Sequence, residues 1–318
     1  MNPAFLEVRN LKKSFPLSTR LLQKNPPSLK AVDGLSFHIE KNQTVSLVGE
    51  SGCGKTTLGR LLVRLLKPDD GSILWKNEDI ALLSEKSFFP LKKQIQMIFQ
   101  DPFSSLNPRW TLKQILSEGM KNFKTGSASD LSRSAAHWLE QVGLPKNSDN
   151  RHPHEFSGGQ RQRIAIARAL AVSPELLVCD EILSALDVSI RAQILNLLFD
   201  LKQKLSLSFL FISHDLRLSA MVSDQLFVMY LGKIVEKIPG ERLFENARHP
   251  YTQMLIASLP GSKTPPLSQK LSLPPSPVQL PGGCRFHPRC PHAIDRCKHE
   301  EPVPKKISLE HEVACHLI

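Results

Sequence analysis

The chain has 318 residues, of which 41% are hydrophobic and 22% charged, with a formal net charge of +11. A domain takes roughly 100–200 residues, so there is material for one large core or two modest ones, and the recurring apolar runs exclude a disordered composition. The most apolar stretch, Ile164 to Val172, is broken by Arg168 and falls short of the roughly 18–20 residues that span a bilayer.

The segment Met1 to Phe15 lacks the apolar run of a secretory signal, so a chain that stays in the cytoplasm is expected. The positive charge fits a solvated basic surface, a polyanion binder or a protein working beside an anionic membrane. Charge alone does not separate these.

Along the chain, LEVRNLKKSF reads as a strand, and the Pro-containing stretch 16–30, without acidic residues, reads as a loop interrupting an N-terminal sheet. Thr44 to Gly49 has the β-branched, apolar character of a buried strand. Lys55 to Leu66 has helical spacing and is expected to stop before Pro68 and Asp69–Gly71. Gln94 to Phe99 is another short strand, and residues from 101 to about 156 turn polar and helical, as an inserted helical subdomain would. From Gly158 the pattern alternates: helix to Val172, strand Leu176–Asp180, helix Val188–Lys204, strand Ser208–Ser213, a helix, then strand QLFVMY. Such alternation predicts an α/β fold with a mainly parallel sheet covered on both faces. After Pro260 the composition changes again. Residues 261–283 hold six prolines and read as a tether to a Cys-rich tail.

The stretch Gly49, Glu50, Ser51, Gly52, Cys53, Gly54, Lys55, Thr56, Thr57 fits G-x4-G-K-[ST] and lies between the expected strand and helix. Glycines let successive backbone N–H groups converge on phosphate oxygens, and the positive end of the helix dipole adds to that field. Lys55 can bridge terminal phosphates and the Thr56 hydroxyl can ligand Mg2+. Cys53 reads as a redox-sensitive thiol or as a small neutral filler. Farther on, the apolar strand ending in Asp180 and Glu181 offers one carboxylate for the metal shell and one for an attacking water, provided the strand ends between them.

Between those motifs lies FSGGQRQRIAIARAL (Phe156–Leu170), in which Ser157, Gly158, Gly159 and Gln160 resemble the signature of ABC ATPases. Taken alone, the same residues describe an N-capped helix with Ser157 as the cap. The resemblance places Gln100 of MIFQDP at the Q-loop, where it would sense magnesium. It places Asp187 of SALD in the D-loop, His214 of LFISHD at the switch histidine, and Phe15 at the aromatic that stacks on adenine, although a core Phe fits there too. FQDPFSSLNPR, HPYTQMLIASLP and GCRFHPRCPHAIDRC narrow the resemblance to the oligopeptide/dipeptide importers.

That resemblance implies a P-loop NTPase (RecA-like) α/β fold with an antiparallel β N-terminal part and an inserted helical subdomain. The nucleotide-binding domain would be 1–248 and the family-type C-terminal region 249–318. It implies an ATPase that uses ATP and Mg2+, works head to tail with a second, non-identical ATPase subunit, and sits peripherally on the cytoplasmic face of the membrane. Two permease subunits and an extracytoplasmic peptide-binding protein would complete the transporter, and no nucleic acid is expected. An ABC-type ATPase of DNA repair or translation and a weakly catalytic partner subunit are the alternatives. The first lacks its usual coiled-coil insertion here. The second draws on Ile182, which stands where the family usually has Pro.

Cys284, Cys290, Cys297 and Cys315 crowd into the last 35 residues. Thiolates suit zinc or an iron–sulfur cluster, and the lack of C-x2-C pairs weighs against zinc. The resemblance adds the expectation of a [4Fe–4S] cluster.

Overall fold

The computed structural model describes residues 5–17, 27–124, 128–262 and 275–318. Much of the expected N-terminal loop (18–26) and of the Pro-rich tether (263–274) lies outside them. The chain forms two compact units, one made of 1–82 with 211–318 and the other of 83–210.

In the first unit, β1 (Leu6–Pro16) pairs antiparallel with β2 (Ser28–Ile39) on one side. After β3 (Thr44–Val48) come β4 (Asp70–Trp75) and β5 (Glu78–Asp79), which extend that antiparallel sheet in the order β2-β1-β4-β5. Every residue of β3 is buried, Thr44 and Ser46 included, as in a strand covered on both faces. The helix that follows the phosphate motif is shorter than its periodicity predicts, Lys55–Leu62 rather than to Leu66. Arg64 takes a left-handed conformation (φ 57°), and its buried guanidinium donates to the Ile80 carbonyl. A residue with positive φ cannot continue a right-handed helix.

In the second unit, β6 (Ile95–Ile98) and β7 (Leu176–Asp180) pair in parallel from Ile95↔Leu176 to Ile98↔Cys179. Ser208 N–H donates to the Glu175 carbonyl at 3.0 Å where β8 (Ser208–Ser213) begins. Between β6 and β7 the described residues hold helices and turns only, as expected for residues 101–156. The helix Leu112–Asn122 opens with a capping box formed by Thr111 and Gln114, and it buries Leu112, Ile115, Leu116 and Met120. The helix Gly158–Leu170 ends two residues before the expected Val172.

The first unit resumes with β9 (Gln225–Tyr230), parallel to β3 from Val45↔Gln225 to Val48↔Val228. Antiparallel β10 (Lys233–Pro239) lies against it. The C-terminal region then adds two strands that the sequence did not signal, β11 (Lys305–Ser308) and β12 (His311–Val313), in the order β11-β12-β10-β9-β3. Tyr230, Ile238, Leu243, Tyr251 and Phe286 share one buried cluster, so the tail packs into the core of this unit.

His249 caps the helix Pro250–Ala257 within that core, its Nδ1 accepting from Tyr251 N–H at 3.0 Å. Burial pushes its pKa from 6.5 down to about 4, despite the Glu236 carboxylate nearby. The folded state resists the proton that the unfolded chain takes up, so stability is intact above about pH 6.5 and falls as pH drops toward 4. Acidification from pH 7 to 5 is expected to cost on the order of 2 kcal/mol through this residue. His249→Asn keeps a capping acceptor and should flatten the profile. Urea midpoints at the two pH values check this, and equal losses in both proteins would refute it.

Candidate nucleotide-binding site

The phosphate motif curls tightly after β3. Gly49, Gly52 and Gly54 all have positive φ (154°, 78° and 111°). A Cβ on Gly54 would lie 1.9 Å from the Ala31 carbonyl oxygen and one on Gly49 2.1 Å from that of Met229. Gly52 faces open space, with nothing within 4 Å of an added Cβ. The helix that starts at Lys55 has Gly54 as its N-cap, no side-chain cap and no acidic residue in its first turn. Its leading N–H groups and dipole therefore suit an anion, and the loop fits a nucleotide's phosphates. Lys55 is 5% exposed and its ammonium donates to the carbonyls of Gly49 (2.8 Å) and Glu50 (3.0 Å).

Ser51 is exposed, and Thr56 and Thr57 are half-buried. Cys53 is buried, and burial raises the pKa of its thiol, as a neutral filler requires. Phe15 is half-buried on β1, with the Lys13 ammonium 5.8 Å from its ring centre. His214 is exposed just after β8.

In the second unit β7 ends at Asp180, which is 3% exposed. Glu181 then takes a left-handed conformation (φ 47°), so the strand does end between the two carboxylates. Gln100 Nε2 donates to Glu181 Oε2 at 3.0 Å, joining two residues that the sequence places 81 positions apart. Ile182 is buried, and the turn after Glu181 closes through Ser184, whose N–H (3.1 Å) and hydroxyl (2.8 Å) both donate to the Glu181 carbonyl. The turn thus forms without the proline.

Ser157 and Gln160 make a reciprocal capping box at the Gly158–Leu170 helix. Gly159 is where this helix meets Val188–Leu205, since a Cβ there would lie 2.7 Å from Ile190 Cγ2. Asp187 caps Val188–Leu205, and hydrogen bonds from the Ile190 N–H and the Ser189 hydroxyl hold its carboxyl below the usual range.

Over 98% of its length the chain is 48% identical to the oligopeptide transport ATP-binding protein AppF of Bacillus subtilis, covering 97% of that protein. It belongs to the ATP-binding subunits of ABC transporters. Residues 32–184 of this ABC subunit match the ABC transporter family, and residues 235–297 match the oligopeptide/dipeptide transporter C-terminal region. A probable peptide ABC transporter ATP-binding protein of Sinorhizobium fredii is 45% identical over all of this chain and 91% of its own. In fold, the subunit resembles CbiO1 of Clostridium perfringens, with a TM-score of 0.65, 26% identity, and 76% and 90% of the two chains covered. It also resembles the ATP-binding cassette MJ0796 in a dimeric state bound to ADP and phosphate, with a TM-score of 0.66, 24% identity, and 74% and 98% covered.

The cysteine tail of this ABC subunit departs from expectation. Among the described residues no three His, Cys, Asp or Glu side chains form a group that could hold a metal. Cys297 and Cys315 are buried, while Cys284 and Cys290 pack against the apolar cluster around Phe286. Burial pushes the Cys284 thiol up to about 11 and also raises Cys290 and Cys315. Metal ligation needs thiolates, and burial works against forming them at Cys284, Cys290 and Cys315. The expected [4Fe–4S] cluster and the zinc alternative are thus not supported by this arrangement.

Arg289 and Tyr251 belong to no motif of the phosphate loop. Arg289 forms a bidentate pair with Glu50 at 2.8 and 2.9 Å, and Glu50 N–H donates to the Tyr251 hydroxyl at 2.9 Å. The available signal was Glu50 itself, because a carboxylate inside a loop for polyphosphate calls for a neutralising cation.

Proposed function

We propose that this ABC subunit binds and hydrolyses ATP to power peptide import through a membrane transporter. The observation that carries this reading is the full-length likeness to AppF together with an intact phosphate loop and an intact Asp180–Glu181 strand end. The amides of Gly49–Thr57 and the Lys55 ammonium would hold the phosphates, and Phe15 would stack on adenine. Thr56, Gln100 and Asp180 would hold Mg2+, which supplies charge neutralisation on the phosphates when bound. Glu181 would take the proton of the attacking water, oriented by Gln100, and His214 would contact the terminal phosphate. Ser157, Gly158, Gly159, Gln160 and Asp187 would face the nucleotide of a second ATPase subunit.

The division into a nucleotide-binding part (1–248) and a transporter-type C-terminal region (249–318) belongs to the same proposal. So do a non-identical ATPase partner, two permease subunits, a peptide-binding protein outside the membrane and a peripheral place on its cytoplasmic face. No helix among the described residues is long and apolar enough to cross a membrane. Affinity purification from native membranes is expected to bring down two permeases and a second ATPase. Peptide-stimulated phosphate release by that complex would support the reading. Recovery with nucleic-acid machinery instead would overturn it.

A further inference from the structure

Glu50 sits inside the phosphate loop and is gripped at three points. Its N–H donates to the Tyr251 hydroxyl at 2.9 Å, its carbonyl accepts from Lys55 Nζ at 3.0 Å, and its carboxylate takes both arms of Arg289 at 2.8 and 2.9 Å. The Arg289 side chain is 4% exposed and that of Glu50 29%. Arg289 also donates to the Tyr230 hydroxyl at 3.4 Å and lies 5.8 Å from the ring centres of Tyr230 and Phe286. Tyr251 is fully buried and packs on Tyr230 with ring centres 4.5 Å apart. The fork of Arg289 is thus held by rigid aromatic neighbours, in the geometry that suits a planar carboxylate.

This arrangement has an electrostatic logic. The loop must receive a polyanion, yet one of its own residues, Glu50, carries a carboxylate. Left unpaired, that charge repels phosphate at short range, where solvent screening is weak. Paired with Arg289, it is cancelled, and the peptide between Gly49 and Ser51 is fixed in orientation.

We propose that Arg289, in the Cys-rich C-terminal region, is a positioning residue for the ATP phosphate loop, acting through Glu50 by neutralising its carboxylate and fixing its peptide. The inference rests on the nucleotide-binding reading above, and it makes the C-terminal region part of the ATP site's supporting structure. A second bracing point lies beside it. Arg285 donates to the Leu231 carbonyl and to Asp33, and the adjacent Gly232 N–H donates to the Cys53 carbonyl of the loop at 2.9 Å.

The test is titration of the full-length chain with a fluorescent Mg-ATP analogue, with thermal unfolding run beside it. Arg289→Ala is expected to weaken binding about tenfold, the scale of losing a partner that orients a ligand. Because the harm comes from the exposed carboxylate, Glu50→Gln/Arg289→Ala should recover to within about threefold of the wild type, a non-additivity expected only of directly coupled residues. Arg296→Ala, on the exposed surface of the same region, should bind as the wild type does. Wild-type affinity in Arg289→Ala overturns the proposal. So does a double variant no better than the single one, or an equal loss in Arg296→Ala, since a merely structural role predicts those results. A wild-type chain that itself does not bind the analogue overturns the nucleotide reading, and this inference with it.

Discussion

Glu181→Gln is expected to bind Mg-ATP as the wild type does and to lose turnover by about 10²- to 10⁴-fold, the range spanned by removing a positioned proton acceptor. The chain leaves β7 at Asp180 and enters a left-handed residue at Glu181, which separates a buried carboxylate from a half-buried one. Gln100 Nε2 orients the second of these at 3.0 Å. An amide keeps the volume and can still accept that hydrogen bond, but it cannot take a proton from water. The buried Ile182 and the closed Glu181–Ser184 turn indicate that the missing proline has not dismantled this geometry, so the wild-type chain should hydrolyse ATP. Phosphate release by the assembled transporter, read beside a binding titration, checks the prediction. Hydrolysis at the wild-type rate would remove Glu181 from the role.

Lys55→Ala is expected to lower Mg-ATP affinity by about a hundredfold or more, the effect of truncating one member of a desolvated charge pair. In the loop as it stands, the Lys55 ammonium spans the Gly49 and Glu50 carbonyls and lies 3.9 Å from Cys53 Sγ. Phosphate oxygens would replace such acceptors with charged ones, and charge-assisted bonds are about twice as strong as neutral ones. Calorimetric titration checks the value, and unchanged affinity would refute the cradle assignment. Both this variant and Arg289→Ala weaken binding, but only the second is rescued by also removing the Glu50 charge.

Much of the fold was legible because its signals are local. β7 and β8 have the bounds that their apolar runs imply, and Val188–Leu205 exceeds its expected end by one residue. Lys55–Leu62 was overestimated because helical spacing continues past Arg64, and only a tertiary hydrogen bond to Ile80 reveals the left-handed stop. β11 and β12 were not legible. β11 is exposed throughout, and β12 has three residues and finds its partner in β10, far back in the sequence. The phosphate loop and the Asp180–Glu181 pair could be read because each is contiguous. The Arg289–Glu50 pair could not, because 239 positions separate its members. The cysteines meet a related limit: spacing records that thiols are close in sequence, whereas the burial that raises the pKa of three of them depends on the packed fold.

Because 83–210 is contiguous while the other unit draws on both sides of it, the two cannot mature together during synthesis. Val45 of β3 waits for its β9 partner Gln225, which at about 5–20 residues per second is a delay of roughly ten to forty seconds. For that interval the nascent chain displays a five-residue strand whose side chains are all destined for the interior.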